Sequence, residues 1–250
     1  MHIKSVRNTP ADETASARPG WEGTKVWWLI NRDETQSKAG VLSISEFAPG
    51  SKHDVHRHPF AEQVTFVLSG SGTHLRDEGG VEQSTWQAVY IPPNEWHGFA
   101  NDTNEPTTIV AFYGGVSSPK DAGFVIYEGG SASASETAAE AKLRSFPGAP
   151  LARSTVGSSS ICLNLLELTP GQSIPLHRHR GTEEFVFVLS GNGTCDHLAG
   201  SHPLQPGDVV YLPPDEWHGF TSGEGEGMKV LHGYFGTSDY EHDDVEEFAG

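Results

Sequence analysis

Two short segments of the chain each carry a pair of histidines separated by one residue, His56 with His58 and His177 with His179. Residues i and i+2 of a β-strand point to the same face, so each pair would present two imidazoles side by side. Neutral imidazole is a common ligand of transition metals. The spacing therefore predicts two places at which the chain holds a metal ion.

A third histidine follows each pair in a nearly identical setting, His97 in IPPNEWHGFAN and His218 in LPPDEWHGFTS. The two prolines disfavour a helix and favour a turn that leads into a strand. Three imidazoles joined by one carboxylate would form a ligand set suited to Fe(II), Mn(II), Ni(II), Co(II) or Zn(II). Calcium and magnesium are disfavoured because they prefer shells of oxygen alone.

The two sets of histidines belong to an internal duplication. The first histidines of the two sets are 121 residues apart, and so are the last. Between Gly50–Asn101 and Gly171–Ser222, 22 of 52 aligned residues are identical. The chain therefore contains two copies of one unit.

The residue expected to complete each set differs between the copies. The alignment places Gln63 opposite Glu184, and Glu62 lies one position earlier. Neighbours in a strand face opposite sides, so Glu62 and Gln63 cannot both point inward without a bulge. We favour Gln63, because its spacing to Gly70 equals the spacing of Glu184 to Gly191. A neutral amide would bind the ion less firmly than a carboxylate, so the first site is either a weaker, more electrophilic centre or a degenerate one.

Short apolar runs that alternate with turn signals predict the strands that must carry these residues. Their spacing is typical of a β-sandwich or barrel, and nothing between them resembles the crossover helix that a parallel sheet needs. The sequence therefore predicts an all-β protein. The runs are Val26–Ile30, Val41–Phe47, Val64–Leu68, Ala88–Ile91, Thr108–Tyr113, Ile161–Leu168, Phe185–Leu189, Val209–Leu212 and Met228–Phe235.

The motifs together resemble those of the cupin superfamily. In the second copy, G-x5-H-x-H-x3–4-E-x6-G is matched by Gly171, His177, His179, Glu184 and Gly191. The second motif, G-x5-P-x-G-x2-H-x3-N, is matched by Gly207, Pro213 and His218, with Asp215 and Ser222 in place of the second glycine and the asparagine. The first copy has Gly50, His56, His58, Gly70, Pro92, His97 and Asn101, and departs at Trp86 and Asn94, which replace glycines. The chain is therefore similar to bicupins, which carry two cupin domains in tandem.

The resemblance implies two tandem cupin barrels of the double-stranded β-helix, or jelly-roll, type. We expect an N-terminal cupin domain at residues 1–127, a linker rich in glycine, serine and alanine at 128–150, and a C-terminal cupin domain at 151–250. The implied metal ligands are His56, His58, Gln63 and His97 in the first copy and His177, His179, Glu184 and His218 in the second.

For function, the resemblance implies a metal-dependent enzyme, with a non-haem dioxygenase as the first expectation. It would hold Fe(II) and bind a small oxygen-chelating substrate, such as a diketone, a flavonol or other phenol, or a hydroxy acid, together with O2. The alternatives are a non-redox isomerase or lyase that acts through a metal enolate, and a non-catalytic small-molecule-binding protein that a metal stabilises. No lysine, tyrosine or carboxylate stands out by its position in the motifs as a general base.

The residues beside the ligands are interpreted by the alternation of a strand. Arg57 and Arg178 lie between paired histidines and should point away from the ion. Glu62 and Glu183 should also point outward. The aromatic residues around the third histidines either line a substrate pocket or belong to the barrel core, and they are Trp96, Phe99, Trp217 and Phe220.

Composition excludes several classes of partner. The formal net charge of −17 and a pI near 5.0 would repel nucleic-acid phosphates and anionic lipids. The chain has no export signal at its N-terminus, no apolar run of about 18 residues, and only two cysteines, Cys162 and Cys195. We expect a soluble cytoplasmic protein with a small-molecule substrate, for which a homo-oligomer is possible.

The acidic residues after Gly236 are expected to form a solvated tail or a capping helix.

Overall fold

The computed structural model describes residues 1–76, 79–128, 143–240 and 245–249. The chain divides into two compact units, Thr9–Ala149 and Met1–Asn8 with Pro150–Gly250. Each unit is a jelly roll of two antiparallel sheets, which confirms the predicted all-β fold. No helix of the described residues is long and apolar enough to span a membrane.

Strands and helical turns are numbered in chain order. The first barrel contains β2 (Thr24–Ile30), α1 (Arg32–Thr35), β3 (Gly40–Phe47), β4 (Lys52–Arg57), β5 (Glu62–Ser69), β6 (Ser71–Leu75), β7 (Gly80–Ser84), β8 (Gln87–Ile91), β9 (His97–Ala100), β10 (Thr107–Gly114), β11 (Val125–Ile126) and β12 (Leu143–Ser145). The second contains β1 (His2–Lys4), α2 (Arg153–Val156), β13 (Ile161–Leu168), β14 (Ser173–His179), β15 (Glu183–Gly191), β16 (Gly193–His197), β17 (Gly200–Leu204), β18 (Val209–Leu212), β19 (His218–Ser222), β20 (Met228–Phe235) and β21 (Val245–Glu247).

Each barrel is formed by a large sheet and a sheet that carries the paired histidines. In the first barrel the strand orders are β12-β8-β5-β10-β3-β2 and β11-β4-β9-β6-β7. In the second they are β1-β18-β15-β20-β13 and β17-β16-β19-β14-β21. The apolar runs expected from the sequence all fall within strands of the two large sheets.

The core of each barrel lies between its two sheets, where alternate strand residues turn inward. In the first barrel, Phe47, Val67, Phe99 and Ile109 form a buried cluster that spans both sheets. The corresponding cluster of the second barrel consists of Leu168, Val186, Val188, Cys195, Leu204, Val210, Leu212, Phe220, Met228 and Val230. Burial of each large apolar side chain contributes about 1.5–3 kcal/mol, so these clusters hold the sheets at the spacing that the histidines need.

The duplication extends well beyond the two motifs. The helical turns α1 and α2 begin 121 residues apart. At the other end, β11 pairs with β4 and β21 pairs with β14 in the same register, so that Val125 lies opposite Arg57 as Glu246 lies opposite Arg178. The expectation of a solvated tail or capping helix is therefore wrong for β21, which closes the second barrel as β11 closes the first.

The ends of the two units differ from the boundaries expected from the sequence. The strand β1 pairs with β18, with His2 opposite Tyr211, so residues 1–8 belong to the second barrel and not to the N-terminal domain at 1–127. Of the linker at 128–150, residues 129–142 lie outside the described residues. The following strand β12 pairs with β8, with Leu143 opposite Val89, which joins the end of the linker to the first barrel. In both cases an open sheet edge takes up a strand from a distant segment.

Three positions at which the cupin motif expects glycine keep a left-handed backbone although another residue occupies them. The φ angles are 66° at Trp86, 65° at Asn94 and 68° at Asp215. Asparagine and aspartate tolerate this conformation, whereas a bulky residue does so at a cost. Trp86 is held by two backbone hydrogen bonds, one donated to the Val67 carbonyl at 2.8 Å and one accepted from the Phe146 amide at 2.9 Å.

Candidate metal centres

Four side chains of the second barrel come together at one point. His177 and His179 lie on β14, Glu184 on β15, and His218 at the start of β19. Their ligand atoms all lie within 4.8 Å of one another. His177 lies directly opposite His218 in the β14–β19 ladder, so the strand pairing itself brings two of the four together. We call this cluster the C-terminal centre.

Two imidazoles of this centre are oriented by the backbone. His177 and His218 each donate Nδ1–H to the carbonyl oxygen two residues earlier, at 2.9 and 2.8 Å. In a neutral imidazole this leaves Nε2 as an acceptor. Nε2 of His218 lies 2.7 Å from Oε2 of Glu184, and neither atom has a hydrogen-bond partner among the described residues. Two acceptors this close repel each other unless a cation lies between them, so the donor set fits a divalent metal ion.

A proton is the alternative cation for this cluster. Burial opposes the charge on Glu184, but once His218 is protonated, its charge and the hydrogen bonds that the imidazoles then donate outweigh burial and hold the carboxyl pKa well below its usual value. Burial also opposes the charge on His218, but the Glu184 carboxylate outweighs it and raises the imidazole pKa. The pKa of His177 is lowered, mainly by burial. Protons and metal ions therefore compete for the C-terminal centre.

Two further residues of the C-terminal centre lie on β20. His232 donates Nε2–H to Oε1 of Glu184 at 3.0 Å, which keeps Oε2 turned toward the ligand histidines. The hydroxyl of Tyr234 lies 3.5 Å from Nε2 of His179. Tyr234 thus places a proton donor next to the position that a metal ion would occupy.

Sequence reasoning misses both of these residues. The duplication contains a signal for Tyr234, because Tyr113 occupies the same place in the first copy. It contains none for His232, whose counterpart is Ala111. A residue present in one copy alone cannot be found by comparing the copies.

A cavity of about 190 Å³ lies beside the C-terminal centre. Its polar wall consists of His177, Glu184, His232 and Tyr234, and its apolar wall of Leu166, Leu168, Ile174, Val186, Phe220, Met228 and Val230. Among the described residues, no lysine or arginine lines the cavity, so a metal ion would be its main cation. An apolar cavity of about 150 Å³ holds a benzene molecule, so the space suits a ligand with one ring.

The first barrel forms a corresponding N-terminal centre from three histidines, whose ligand atoms again lie within 4.8 Å of one another. Each donates Nδ1–H to a backbone carbonyl, His56 to Asp54, His58 to Gly123 and His97 to Glu95, at 2.7, 2.7 and 2.9 Å. The Nε2 atoms of His58 and His97 are buried and have no hydrogen-bond partner among the described residues. Backbone acceptors thus turn three lone pairs toward one point, an arrangement that fits a transition metal.

The alternation of β5 separates Gln63 from Glu62. Gln63 lines the same small cavity as His56 and His97, and its Oε1 is buried without a hydrogen-bond partner among the described residues. Glu62 accepts a hydrogen bond from the Tyr90 hydroxyl at 2.6 Å. It points away from the centre as expected, but it is buried in the protein instead of facing solvent. Gln63 is the member of this pair that faces the centre, and its role as fourth ligand remains a prediction.

The space at the N-terminal centre is much smaller than at the C-terminal centre. Its cavity measures about 30 Å³, enough for about one water molecule. Burial lowers the pKa of His56 to about 3, and it also lowers the pKa values of His58 and His97. The N-terminal centre is therefore neutral and closely packed. The side chains that fill it include Trp21, Phe47, His53, Phe99 and Tyr113.

The aromatic residues around the third histidines divide into two groups. Phe99 and Phe220 line the two cavities. The two tryptophans do not, and each instead lies under a guanidinium group at 4.6 Å, Trp96 under Arg57 and Trp217 under Arg178. These arginines point away from the centres as the strand alternation predicts.

A sequence profile of the cupin domain family matches residues 43–113 and 164–234, two segments that make up more than half of the chain and contain all eight expected ligand residues. This chain is a bicupin. Its two cupin domains correspond to the two barrels. The profile match confirms the resemblance to bicupins that the histidine motifs indicated.

Curated relatives of the bicupin match only part of it. Protein SchB of Streptomyces halstedii is 34% identical over 83 residues, which are 33% of this chain and 60% of SchB. Gentisate 1,2 dioxygenase 1 of Aquipseudomonas alcaligenes is 36% identical over 62 residues, 24% of this chain and 18% of that protein. The bicupin thus spans less than two thirds of the length of either relative.

Solved structures resemble the bicupin over nearly its whole length. An oxalate decarboxylase of Bacillus subtilis matches with a TM-score of 0.73 and 14% sequence identity, over 99% of this chain and 79% of that one. At this level of identity, the likeness shows a shared fold.

Proposed function

We propose that this bicupin is a metal-dependent enzyme, specifically a non-haem dioxygenase that acts at the C-terminal centre on a one-ring phenol or a small diketone. The proposal rests on one feature of the molecule, the cluster of three histidines and Glu184 beside a largely apolar cavity of about 190 Å³. A structural metal needs no such space, whereas a catalytic metal needs room for substrate next to an open coordination position.

The donor set supports a divalent transition metal, with Fe(II) as the first candidate and Mn(II), Ni(II), Co(II) or Zn(II) as alternatives. The oxalate decarboxylase of Bacillus subtilis, which shares the fold, is described with Mn(II) centres. When bound, such an ion would polarise chelating substrate oxygens and, if redox-active, would pass electrons to dioxygen.

The residues of the chain would bind and orient the substrate. The apolar wall of the cavity packs against the ring and excludes water. Tyr234 donates a hydrogen bond to a substrate oxygen beside His179, and His232 holds a proton at Nε2 against Glu184. His177 lines the cavity directly, so the substrate lies on its side of the centre.

The cavity also narrows the class of substrate. A three-ring flavonol exceeds its volume. A second carboxylate, as in a dicarboxylic acid, would be buried without a lysine or arginine to balance it. A ligand with one chelating end and an apolar body satisfies both limits, which favours a small phenol or diketone over a hydroxy acid.

A non-redox lyase or isomerase is the second candidate. His232 and Tyr234 provide proton-transfer groups beside the expected ligands, and such chemistry needs no dioxygen. One of the similar proteins is a gentisate dioxygenase and another is an oxalate decarboxylase. Each of the two candidate reaction classes therefore has one example among the similar proteins.

Oxygen uptake by the Fe(II)-loaded protein, measured against a panel of one-ring phenols, small diketones and hydroxy acids, tests the proposal. We expect uptake equal to the substrate consumed for a phenol or a diketone. Product formation without oxygen uptake would contradict the dioxygenase and favour the lyase or isomerase. Absence of turnover, together with unfolding on chelation, would indicate a metal that only stabilises the protein.

A further inference from the structure

We propose that an outer cavity of the first barrel is a binding site for a small aromatic carboxylate, separate from both metal centres. The cavity has a volume of about 460 Å³, against about 190 Å³ beside the C-terminal centre. Small-molecule sites in proteins measure about 300–1,000 Å³, so this cavity is large enough for a ligand of its own.

Aromatic side chains form one wall of the outer cavity. Trp21, Trp28 and Phe124 line it, and the rings of Trp21 and Phe124 meet edge to face at 5.9 Å. Phe124 remains 44% exposed, which is unfavourable for a side chain of this size. A planar ring in the cavity would cover Phe124 and gain aromatic contacts with the wall.

Basic side chains form the opposite part of the wall. Arg18, Arg32 and Lys120 line the cavity, although the whole chain has only 16 lysines and arginines and a net charge of −17. Arg18 lies 3.2 Å from Asp12, and Arg32 lies 3.6 Å from Asp121. Lys120 has no ion-pair partner among the described residues. Asp12 and Asp33 also line the cavity, so its three basic residues exceed its acidic residues by one, and a single carboxylate would balance this excess.

Trp21 and Arg18 together place an aromatic ring and a cation at the wall of the outer cavity. Trp21 is only 6% exposed, and its Nε1 has no hydrogen-bond partner among the described residues. A buried donor without an acceptor destabilises a protein and is uncommon. The guanidinium of Arg18 lies over the same indole, at 5.3 Å from the ring centre. Because Nε1 is enclosed, a ligand in the outer cavity would contact the indole ring and not its N–H, and its carboxylate would pair with a nearby cation.

The same aromatic residues separate the outer cavity from the N-terminal centre. Trp21 lines both the outer cavity and the small cavity of that centre, so its ring lies between them. The ring centres of Trp21 and Phe124 lie 6.4 and 4.7 Å from that of His56. A ligand in the outer cavity thus packs behind two rings and does not reach the metal-facing nitrogens.

Isothermal titration calorimetry of the full-length protein as purified, with benzoate as the probe, tests this site. We expect saturable binding, and about tenfold weaker binding of benzyl alcohol, which keeps the ring and lacks the charge. Excess formate, which coordinates metals but has no ring, should leave benzoate binding unchanged. Absence of saturable binding, or displacement of benzoate by formate, would overturn the proposal.

Paired variants locate the bound benzoate. Phe124→Ala and Lys120→Gln should each weaken its binding about tenfold, because they remove a ring contact and a cation. Phe60→Ala and Lys25→Gln are matched controls, since both residues are exposed in the same barrel and lie outside the cavity. Equal losses in the controls, or no loss in either cavity variant, would contradict the site. Binding should persist in Glu184→Gln, which separates failure of this site from failure of the proposed enzyme.

Discussion

The two candidate metal centres of this bicupin share three histidines and the strands that position them, but they differ in charge and in space. Glu184 gives the C-terminal centre one negative charge, whereas Gln63 leaves the N-terminal centre neutral. A buried divalent ion without a charged ligand is poorly compensated, so we expect the N-terminal centre to bind metal more weakly. The cavities differ in the same direction, at about 190 and 30 Å³.

The three histidines occur in both copies, whereas Glu184 and His232 occur only in the second. His232 orients Glu184 in the C-terminal centre, and Ala111 occupies its place in the first copy. We therefore expect turnover at the C-terminal centre, with a stabilising role for any metal at the N-terminal centre.

Removal of one ligand from each centre should produce the largest contrast. His218→Ala should lower kcat by about a thousandfold, because a catalytic centre without its metal loses its Lewis acid. His97→Ala, the matched change in the other barrel, should leave kcat within about threefold and reduce thermal stability. Metal content and turnover of both variants test this. Equal loss of turnover in the two variants would contradict the division of roles.

Exchange of the fourth residue should shift metal affinity in opposite directions. Glu184→Gln should weaken metal binding at the C-terminal centre by about a hundredfold, and Gln63→Glu should strengthen it at the N-terminal centre, because a carboxylate balances the charge of the ion. Competition with a fluorescent chelator measures both constants. If Gln63→Glu leaves metal binding unchanged, Gln63 is not a ligand.

Loss of His232 should have a smaller effect on the C-terminal centre. His232→Ala should lower metal affinity about 10- to 100-fold, because it removes the hydrogen bond that orients a ligand carboxylate. His202→Ala, an exposed histidine of the same barrel, serves as the control. If His232 only stabilises the fold, His232→Ala should lower the melting temperature and leave the affinity of the C-terminal centre for metal unchanged.

Protonation of the metal-free protein should act with opposite signs in the two centres. The pKa of His56 is about 3, whereas an unfolded histidine titrates near 6.5. His56 therefore contributes full stability above about pH 6.5, and this is lost as the pH falls toward 3. The pKa of His218 is raised, so its contribution is present below about pH 6.5 and is lost as the pH rises through the folded-state value. NMR titration of the imidazole protons tests both directions. A His56 that titrates at a higher pH than His218 would contradict the assignment.

Much of the fold and most of the candidate metal ligands can be predicted from the sequence, because the internal duplication presents each motif in two copies. The two histidine pairs, the downstream histidines and Glu184 lie within strands or, for His58, directly after one, where alternation decides orientation. The choice of Gln63 over Glu62 follows from its spacing to Gly70, which equals the spacing of Glu184 to Gly191. Residues that act through long-range packing could not be found this way. His232 reaches Glu184 from a strand far along the chain, and its meaning depends on sheet order, which no local pattern specifies.

The predictions for the acidic C-terminal residues and for two tryptophans are wrong for a related reason. The strand β21 has an acidic composition typical of a solvated tail, yet Glu246 is bound by Arg178 at 2.9 Å, which offsets its charge. Composition describes the average surroundings of a residue, whereas one ion pair and one ladder of hydrogen bonds decide whether an edge strand forms. The tryptophans beside the third histidines are expected in a substrate pocket or in the barrel core. Each instead packs against an arginine on the sheet surface and not against the cavity.

The pairing of β1 with β18 affects how the protein is made. In the chain, β1 precedes the whole first barrel and β18 follows it, so the ribosome releases all of Thr9–Ala149 before the partner of β1 exists. The first barrel can fold during this time, while the backbone groups of β1 have only solvent or chaperones as partners. The sheet that carries Glu184 is completed by joining an early segment to a late one. The second barrel therefore reaches its final form only after β18 has been synthesised.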